Sequence, residues 1–207
     1  MHLPELEWQI LYGRLAWAVV LATAIAALLP QAWRNRAASL GLLAGCAALA
    51  ALPGDYSPAY WLVLAFQWPS AVLVGCCLLR LAGTGSQPHA LPVLLAAPVA
   101  LAGTVLYLDA IGWLSLGLYG AGFGPQSAAI VALGAGCAAV IAIAHGRVLP
   151  QALILLGAVA LYSIARLPTG NLWDALLDPL LWGWALAALC ARGVRTLRNP
   201  FAARAPA

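Results

Sequence analysis

Two aspartates near the end of the sequence, Asp174 and Asp178, have the residue type and spacing that could bind a proton or a small cation. They are four positions apart, so on one helix they would share a face, with about 5–6 Å between their β-carbons. Two carboxylates that close repel each other unless they share a proton or a cation. Pro179 follows at once and predicts a kink, because it removes a backbone donor. The alternative is an ordinary helix end whose acids pair with Arg14 or Arg166.

A third acid, Asp109, opens a segment from 109 to 125 that is too apolar for an ordinary loop and too rich in glycine for a continuous helix. One structure that fits is an interfacial helix over 110–118, anchored by Trp113 and Tyr119. Another is a segment that re-enters the membrane, where protein or a water-filled cavity satisfies its backbone. The simplest is a hairpin packed against its neighbours. Asp109 is also a candidate partner for Arg14, which lies about one turn inside the first predicted helix.

Polar residues also interrupt the third apolar stretch, at Gln67, Pro69 and Ser70. Pro69 predicts a kink there, and Gln67 and Ser70 could satisfy the freed backbone groups or bond to a neighbouring helix. In the second stretch, Gly41 and Gly45 match the GxxxG pattern, which permits close packing within the protein or against a partner.

The usual signatures of enzymes and cofactor sites do not occur in the sequence. The three histidines lie at or beyond predicted helix ends, and HExxH, GxSxG and Walker A motifs are missing. Lysine does not occur, which excludes a Schiff base. The five cysteines form no CxxC pair, and we interpret them as small apolar residues. We therefore predict no metal and no cofactor.

The composition defines the class of protein. The chain has 207 residues, of which 64% are hydrophobic and 8% charged, with a mean hydropathy of +0.93. Soluble domains carry about 25% charged residues, so a water-soluble globule, a disordered tail and a nucleic-acid-binding module are excluded. We expect an all-α, polytopic transmembrane helix bundle that forms one integral domain over 1–207, with the lipid bilayer as its first partner.

Charges, prolines and glycines divide the chain into seven apolar stretches. The predicted helices cover 10–29, 38–52, 59–79, 91–108, 127–144, 152–165 and 171–191, and a basic tail follows over 192–207. The last helix is predicted to begin near Asn171, with Thr169 or Asn171 as its cap, because the apolar run 180–191 is too short to cross about 30 Å at about 1.5 Å per residue.

The arginines predict the orientation. Eight of the ten fall on one side of the membrane when the connecting segments alternate, and all six acids fall on the other side. Arginine marks the cytoplasmic side, so the amino terminus is predicted outside and the tail inside. Arginine without lysine is typical of a GC-rich bacterial genome, which indicates a bacterial cytoplasmic (inner) membrane. The eight are Arg34, Arg36, Arg80, Arg147, Arg192, Arg195, Arg198 and Arg204.

Three classes of function remain. The first is a non-catalytic accessory or structural subunit of an envelope assembly, which implies a membrane-protein partner; a homo-oligomer is the alternative to such a partner. Short loops, small-residue helix faces and the lack of acids near the bilayer centre favour it. The second is a small secondary transporter or channel that uses the outward-facing carboxylates for a proton or small cation. The third is an enzyme that modifies lipids at the outer leaflet, for which a nucleophile or histidine is missing.

Overall fold

The computed structural model of the chain describes residues 4–30, 33, 35–83, 91–146 and 148–198. These residues form ten α-helices and a short 3-10 turn at Gly54–Tyr56, and no strand occurs among them. The helices are α1 (Leu6–Leu28), α2 (Arg36–Ala50), α3 (Pro58–Phe66), α4 (Ala71–Ala82), α5 (Val93–Ala110), α6 (Leu118–Ala121), α7 (Pro125–Ala144), α8 (Leu149–Ala165), α9 (Leu172–Leu176) and α10 (Pro179–Arg198). The predicted all-α class is confirmed.

Local sequence explains where several helices begin. The side chain of Asn35 accepts a hydrogen bond from the backbone of α2, and Ser70 and Asn171 do the same for α4 and α9. Such caps satisfy backbone N–H groups that have no partner inside the helix. Proline stands in the first turn of α3 and α7, at Pro58 and Pro125, where its missing N–H costs nothing. The interiors are rich in alanine and leucine, which favour helix.

The third predicted helix is interrupted rather than kinked. α3 ends at Phe66 and α4 begins at Ala71, so the region around Pro69 is not helical. Gln67 has a φ of 64°, which no residue of a right-handed helix adopts. The expectation of one continuous, kinked helix over 59–79 is therefore wrong.

The helix predicted over 171–191 is interrupted as well. α9 ends at Leu176, Leu177 is extended with φ −144° and ψ 136°, and α10 begins at Pro179. Asp174 and Asp178 consequently do not share one helical face, so that prediction is wrong. Pro179 causes no kink either, because it is the first residue of α10, a position that proline favours.

The segment after α5 is a compact turn rather than an interfacial helix. α5 ends at Ala110, residues 111–117 are exposed and non-helical, and only the four residues of α6 return to helix. The interfacial helix over 110–118 is therefore wrong. The hairpin packed against its neighbours agrees with the observed contacts, which are described below.

Two apolar clusters lie between the helices. The larger one joins α1 to α5 and α10 around residues such as Trp17, Ala22, Leu73 and Leu181. The smaller one joins α7, α8 and α9 around Ala128, Tyr162, Leu172 and Ala175. Alanine is the commonest buried apolar residue, so the helices approach one another closely.

By length and composition, two of the described helices could cross a membrane. They are α1 and α7, and four shorter apolar helices accompany them: α2, α4, α5 and α8. The bundle of about seven spans stays a prediction. Several residues used for its orientation lie outside the described part of the chain: Arg34, Arg147, Arg204 and the tail from 199 onward.

Glycines mark the closest helix contacts, but the predicted GxxxG pair is not among them. A Cβ at Gly41 or Gly45 would meet no described atom within 4 Å. A Cβ at Gly13 would instead lie 1.7 Å from the ring of Trp68, and one at Gly122 would lie 1.7 Å from the Asn171 side chain. Close packing within the described bundle therefore occurs at glycines such as Gly13, Gly75, Gly103 and Gly122 and not at the GxxxG pair.

Candidate functional site

The carboxylate of Asp178 connects the two interrupted helices. Its Oδ1 accepts hydrogen bonds from the backbone N–H groups of Leu180 and Leu181, both at 2.8 Å, and thereby caps α10. Its Oδ2 accepts a 2.7 Å bond from the N–H of Ser70, at the start of α4. Asp178 is 5% exposed and Ser70 is fully buried. A carboxylate at a helix N-terminus is stabilised by the helix dipole, so Asp178 receives neutralising partial charge from backbone rather than from a cation.

Helix α1 covers the interruption between α3 and α4. The Tyr12 hydroxyl donates to the carbonyl of Pro69 at 2.7 Å, and the Trp17 indole N–H donates to the carbonyl of Gln67 at 3.2 Å. Both carbonyls would otherwise lack partners, since the helix stops there. Ser70 acts through its N–H toward Asp178 and through its hydroxyl as a cap, whereas the side chain of Gln67 is exposed.

Asp109 organises the turn that follows it. Its Oδ1 accepts from the N–H groups of Leu116 and Gly117, the latter at 3.0 Å, and its Oδ2 accepts from the N–H of Tyr119 at 3.2 Å. Desolvation by itself raises the pKa of Asp109, but these backbone donors outweigh it and hold the pKa below its ordinary value. The carboxylate therefore stabilises this turn in its ionised form.

Asp174 has a different set of partners. The hydroxyl of Tyr119 donates to both of its oxygens, at 3.1 and 3.2 Å, and the hydroxyl of Thr169 donates to Oδ2. Burial raises the pKa of Asp174, the charge of Asp178 adds to that effect, and the two hydroxyls act in the opposite direction. Burial of Tyr119 and the charge of Asp174 raise the pKa of Tyr119 to about 12.

Tyr119 is the residue that brings two of the predicted acids together. Its backbone N–H binds Asp109 and its hydroxyl binds Asp174, while its carbonyl accepts from the Asn171 side chain at 3.2 Å. The Trp173 indole N–H adds a 2.8 Å bond to the carbonyl of Leu118. The turn after α5 is thus bound to α9, and Asp178 lies apart from this network, beyond the end of α9.

Neither predicted arginine pairs with an acid in the described structure. Arg166 ends α8, donates to the hydroxyl of Tyr162 and lies over its ring, 4.9 Å from the centroid. Arg14 is half-buried and makes no hydrogen bond or ion pair with any residue that the structure describes. The expected pairing of Arg14 or Arg166 with the outer acids is therefore wrong for the described residues.

The polar partners of the acids were only partly visible in the sequence. The sequence predicts Thr169 or Asn171 as the cap, and Asn171 does cap α9, whereas Tyr119 is predicted only as a membrane-interface anchor. The contacts of Tyr12 and Trp17 had no signal, since both lie within an apolar helix. No group of three or more histidine, cysteine, aspartate or glutamate residues within the described ranges could hold a metal ion.

Comparison of the chain with protein-family models, with curated proteins and with solved structures found no match. The function proposed below therefore rests on the geometry of this chain.

Proposed function

We propose that the chain is a multi-pass protein of a bacterial cytoplasmic membrane, with its amino terminus outside and its carboxyl terminus in the cytoplasm. The distribution of side-chain sizes supports this: large apolar side chains point outward, among them Leu133 of α7, 70% exposed, and Ile164 of α8, 87% exposed. Exposing such surface to water costs about 25 cal/mol per Å², whereas a bilayer accepts it. Small residues inside the bundle are typical of helices that pack in membranes.

The proposed spans are α1, α2, α3 with α4, α5 as far as Leu108, α7, α8 and α10. α8 has 17 residues, and at about 1.5 Å per residue it reaches most of the way across about 30 Å of hydrocarbon. The bond from the Gln9 side chain to the carbonyl of Pro168 joins the start of α1 to the end of α8, at 2.9 Å. Asp109 and Asp174 meet through Tyr119. These contacts support one acidic end for the bundle.

The role we propose is that of a non-catalytic accessory or structural subunit. The observation that carries it is the state of the three buried or half-buried acids, since each is occupied by donors of its own chain. Asp109 and Asp178 each accept three backbone N–H groups, and Asp174 accepts two hydroxyls. Groups held in this way stabilise irregular backbone inside a membrane protein and leave little capacity for a substrate.

Native mass spectrometry of the protein, extracted gently from its own membrane, tests this role. We expect a stoichiometric complex with a membrane-protein partner. The matched measurement is made on Asp55→Asn, whose exposed side chain lies outside the polar networks, and should give the same complex. A lone monomer or a homo-oligomer in every extraction would contradict the accessory role.

One observation favours a second candidate, a small secondary transporter. Interrupted helices that meet inside the membrane occur in transporters, where the helix ends bind substrate or ion. Here the breaks after α3 and α9 meet at the bond between Ser70 and Asp178. Flux of protons and small cations into liposomes that hold the purified protein separates the candidates. Transport that is lost in Asp178→Asn and retained in Asp55→Asn would favour the transporter over the accessory subunit.

A further inference from the structure

We propose that Asp174 is a proton-binding site that controls how the outer loop docks on α9. The outer loop is defined here as residues 111–124, which include α6. This inference concerns regulation of the fold, and it does not depend on whether the chain is an accessory subunit or a transporter.

The donors around each acid differ in kind. Asp109 and Asp178 are held by backbone N–H groups, which can donate but never accept. A proton on either carboxylate would therefore find no acceptor among these groups and would weaken the bonds from the N–H donors. Among the described contacts of Asp174, both donors are hydroxyls, from Tyr119 and Thr169. A hydroxyl can donate or accept, so Asp174 can take up a proton without any change in the backbone.

No described cation compensates the charge of Asp174. The outer loop contributes Tyr119 and the turn before α9 contributes Thr169, while Asp178 after α9 adds a second negative charge. The hydroxyl of Tyr107 on α5 also interacts electrostatically with Asp174 and Asp178. On α8, Tyr162 and Arg166 bind each other, and on α4, Cys76 and Cys77 interact with the charge of Asp178. Burial and the like charge of Asp178 favour the neutral form of the Asp174 carboxyl, and together they outweigh the two hydroxyls, which favour the charged form.

Asp174 is placed so that its charge affects the loop directly. Three further bonds join the loop to α9 or its cap: the Trp173 indole N–H donates to the carbonyl of Leu118, the Asn171 side chain to that of Tyr119, and the N–H of Leu172 to that of Gly122. Moving the loop away would expose the Asp174 carboxylate to water. The docked loop and the protonated acid therefore favour each other, because each state raises the population of the other.

The direction in which loop docking depends on pH follows from this linkage. Docking raises the pKa of Asp174 above its ordinary value of 3.8, so the docked form binds more protons than the open form. The ratio of docked to open loop consequently falls as the pH rises, by up to about tenfold per pH unit between the ordinary and the raised value. Above the raised value the ratio becomes constant.

Hydrogen exchange of the full chain in lipid nanodiscs tests the proposal, with amides of the outer loop and α9 followed between pH 4 and pH 8. Dividing each wild-type rate by that of Asp174→Asn at the same pH removes the intrinsic dependence of exchange on pH. We expect this ratio to rise with pH, because the neutral amide keeps the loop docked throughout. A ratio that does not change with pH would overturn the proposal.

A second variant keeps the test informative if Asp174→Asn does not fold. In the wild type, the hydroxyl of Thr169 lowers the pKa of Asp174. Thr169→Val removes this donor and should therefore raise the pKa. In Thr169→Val the rise of the exchange rate, relative to the intrinsic rate at the same pH, should therefore continue to a higher pH than in the wild type and should be larger in total. A rise that ends at the wild-type pH, or lower, would show that another group binds the proton.

Discussion

The backbone N–H of Ser70 donates a 2.7 Å hydrogen bond to the carboxylate of Asp178, across 108 residues of sequence. Each of the two residues also caps a helix, Ser70 for α4 and Asp178 for α10. Interrupted helices leave backbone groups without partners, which is costly away from water. Because one carboxylate accepts from both interruptions, it stabilises two irregular segments at once and sets their relative position.

Replacing Asp178 should therefore destabilise the protein more than replacing any exposed acid. Asp178→Ala leaves three N–H groups, two of them buried, without an acceptor, and we expect a loss of about 3 kcal/mol or more in the free energy of unfolding. Asp178→Asn can still cap α10 but presents an amide donor or a weaker acceptor to Ser70, so about 1–2 kcal/mol is expected. Denaturation in detergent measures both, and Asp55→Asn should match the wild type.

Gly122 should not tolerate a side chain, although it lies in a short turn. A Cβ there would lie 1.7 Å from Oδ1 of Asn171, the atom that caps α9. We expect Gly122→Ala to cost about 2–4 kcal/mol of stability through overpacking and loss of the cap. Gly120→Ala is the matched control, since a Cβ there meets nothing within 4 Å. Equal melting temperatures for the two variants would show that the loop does not pack on Asn171 as described.

A second glycine pair separates packing inside the bundle from an open helix face. Gly13→Ala brings a Cβ to 1.7 Å from the Trp68 ring and should cost about 1–3 kcal/mol. Gly45→Ala meets open space and should leave the stability of the isolated protein unchanged or slightly raised. Thermal unfolding of the purified protein provides the comparison, and a larger loss at Gly45 would contradict the arrangement of α1 and α2.

Asp109 and Asp174 should respond to pH in opposite directions. The pKa of Asp109 is lowered in the folded protein, so its contribution is present above the ordinary value of an aspartate and is lost as the pH falls toward the lowered value. Asp109→Asn should therefore loosen the turn at neutral pH and remove this acid-dependent loss. Limited proteolysis at residues 111–117 across pH measures it. Full protection of the turn in Asp109→Asn at neutral pH would rule out the anchoring role.

The proposed orientation predicts which ends of the bundle a membrane-impermeant reagent can reach. In a variant without native cysteines, Trp113→Cys, at a position 80% exposed in the outer loop, should react with an impermeant maleimide in intact spheroplasts. Leu197→Cys, at a position 81% exposed near the end of α10, should react only after the membrane is opened. The reverse pattern would invert the topology, and reaction of both in intact spheroplasts would exclude a seven-span arrangement.

Much of the local structure follows from sequence because it depends on local physics. The apolar stretches determine where helix forms, and the caps at Asn35 and Asn171 are short-range contacts within one turn. Composition determines the all-α class for the same reason, since long runs rich in alanine and leucine favour helix wherever their surroundings are apolar.

The tertiary structure decided what the polar residues do. Asp174 and Asp178 have helical spacing, yet the chain is extended at Leu177, because Asp178 instead caps α10 and binds Ser70. Tyr119 connects Asp109 to Asp174 through groups that no spacing rule relates. A buried polar group must find a partner wherever the fold supplies one. Sequence therefore determined which residues are polar and where helix forms. Only the packing of distant segments decided which acids are held by backbone N–H donors and which one by hydroxyls that can donate or accept.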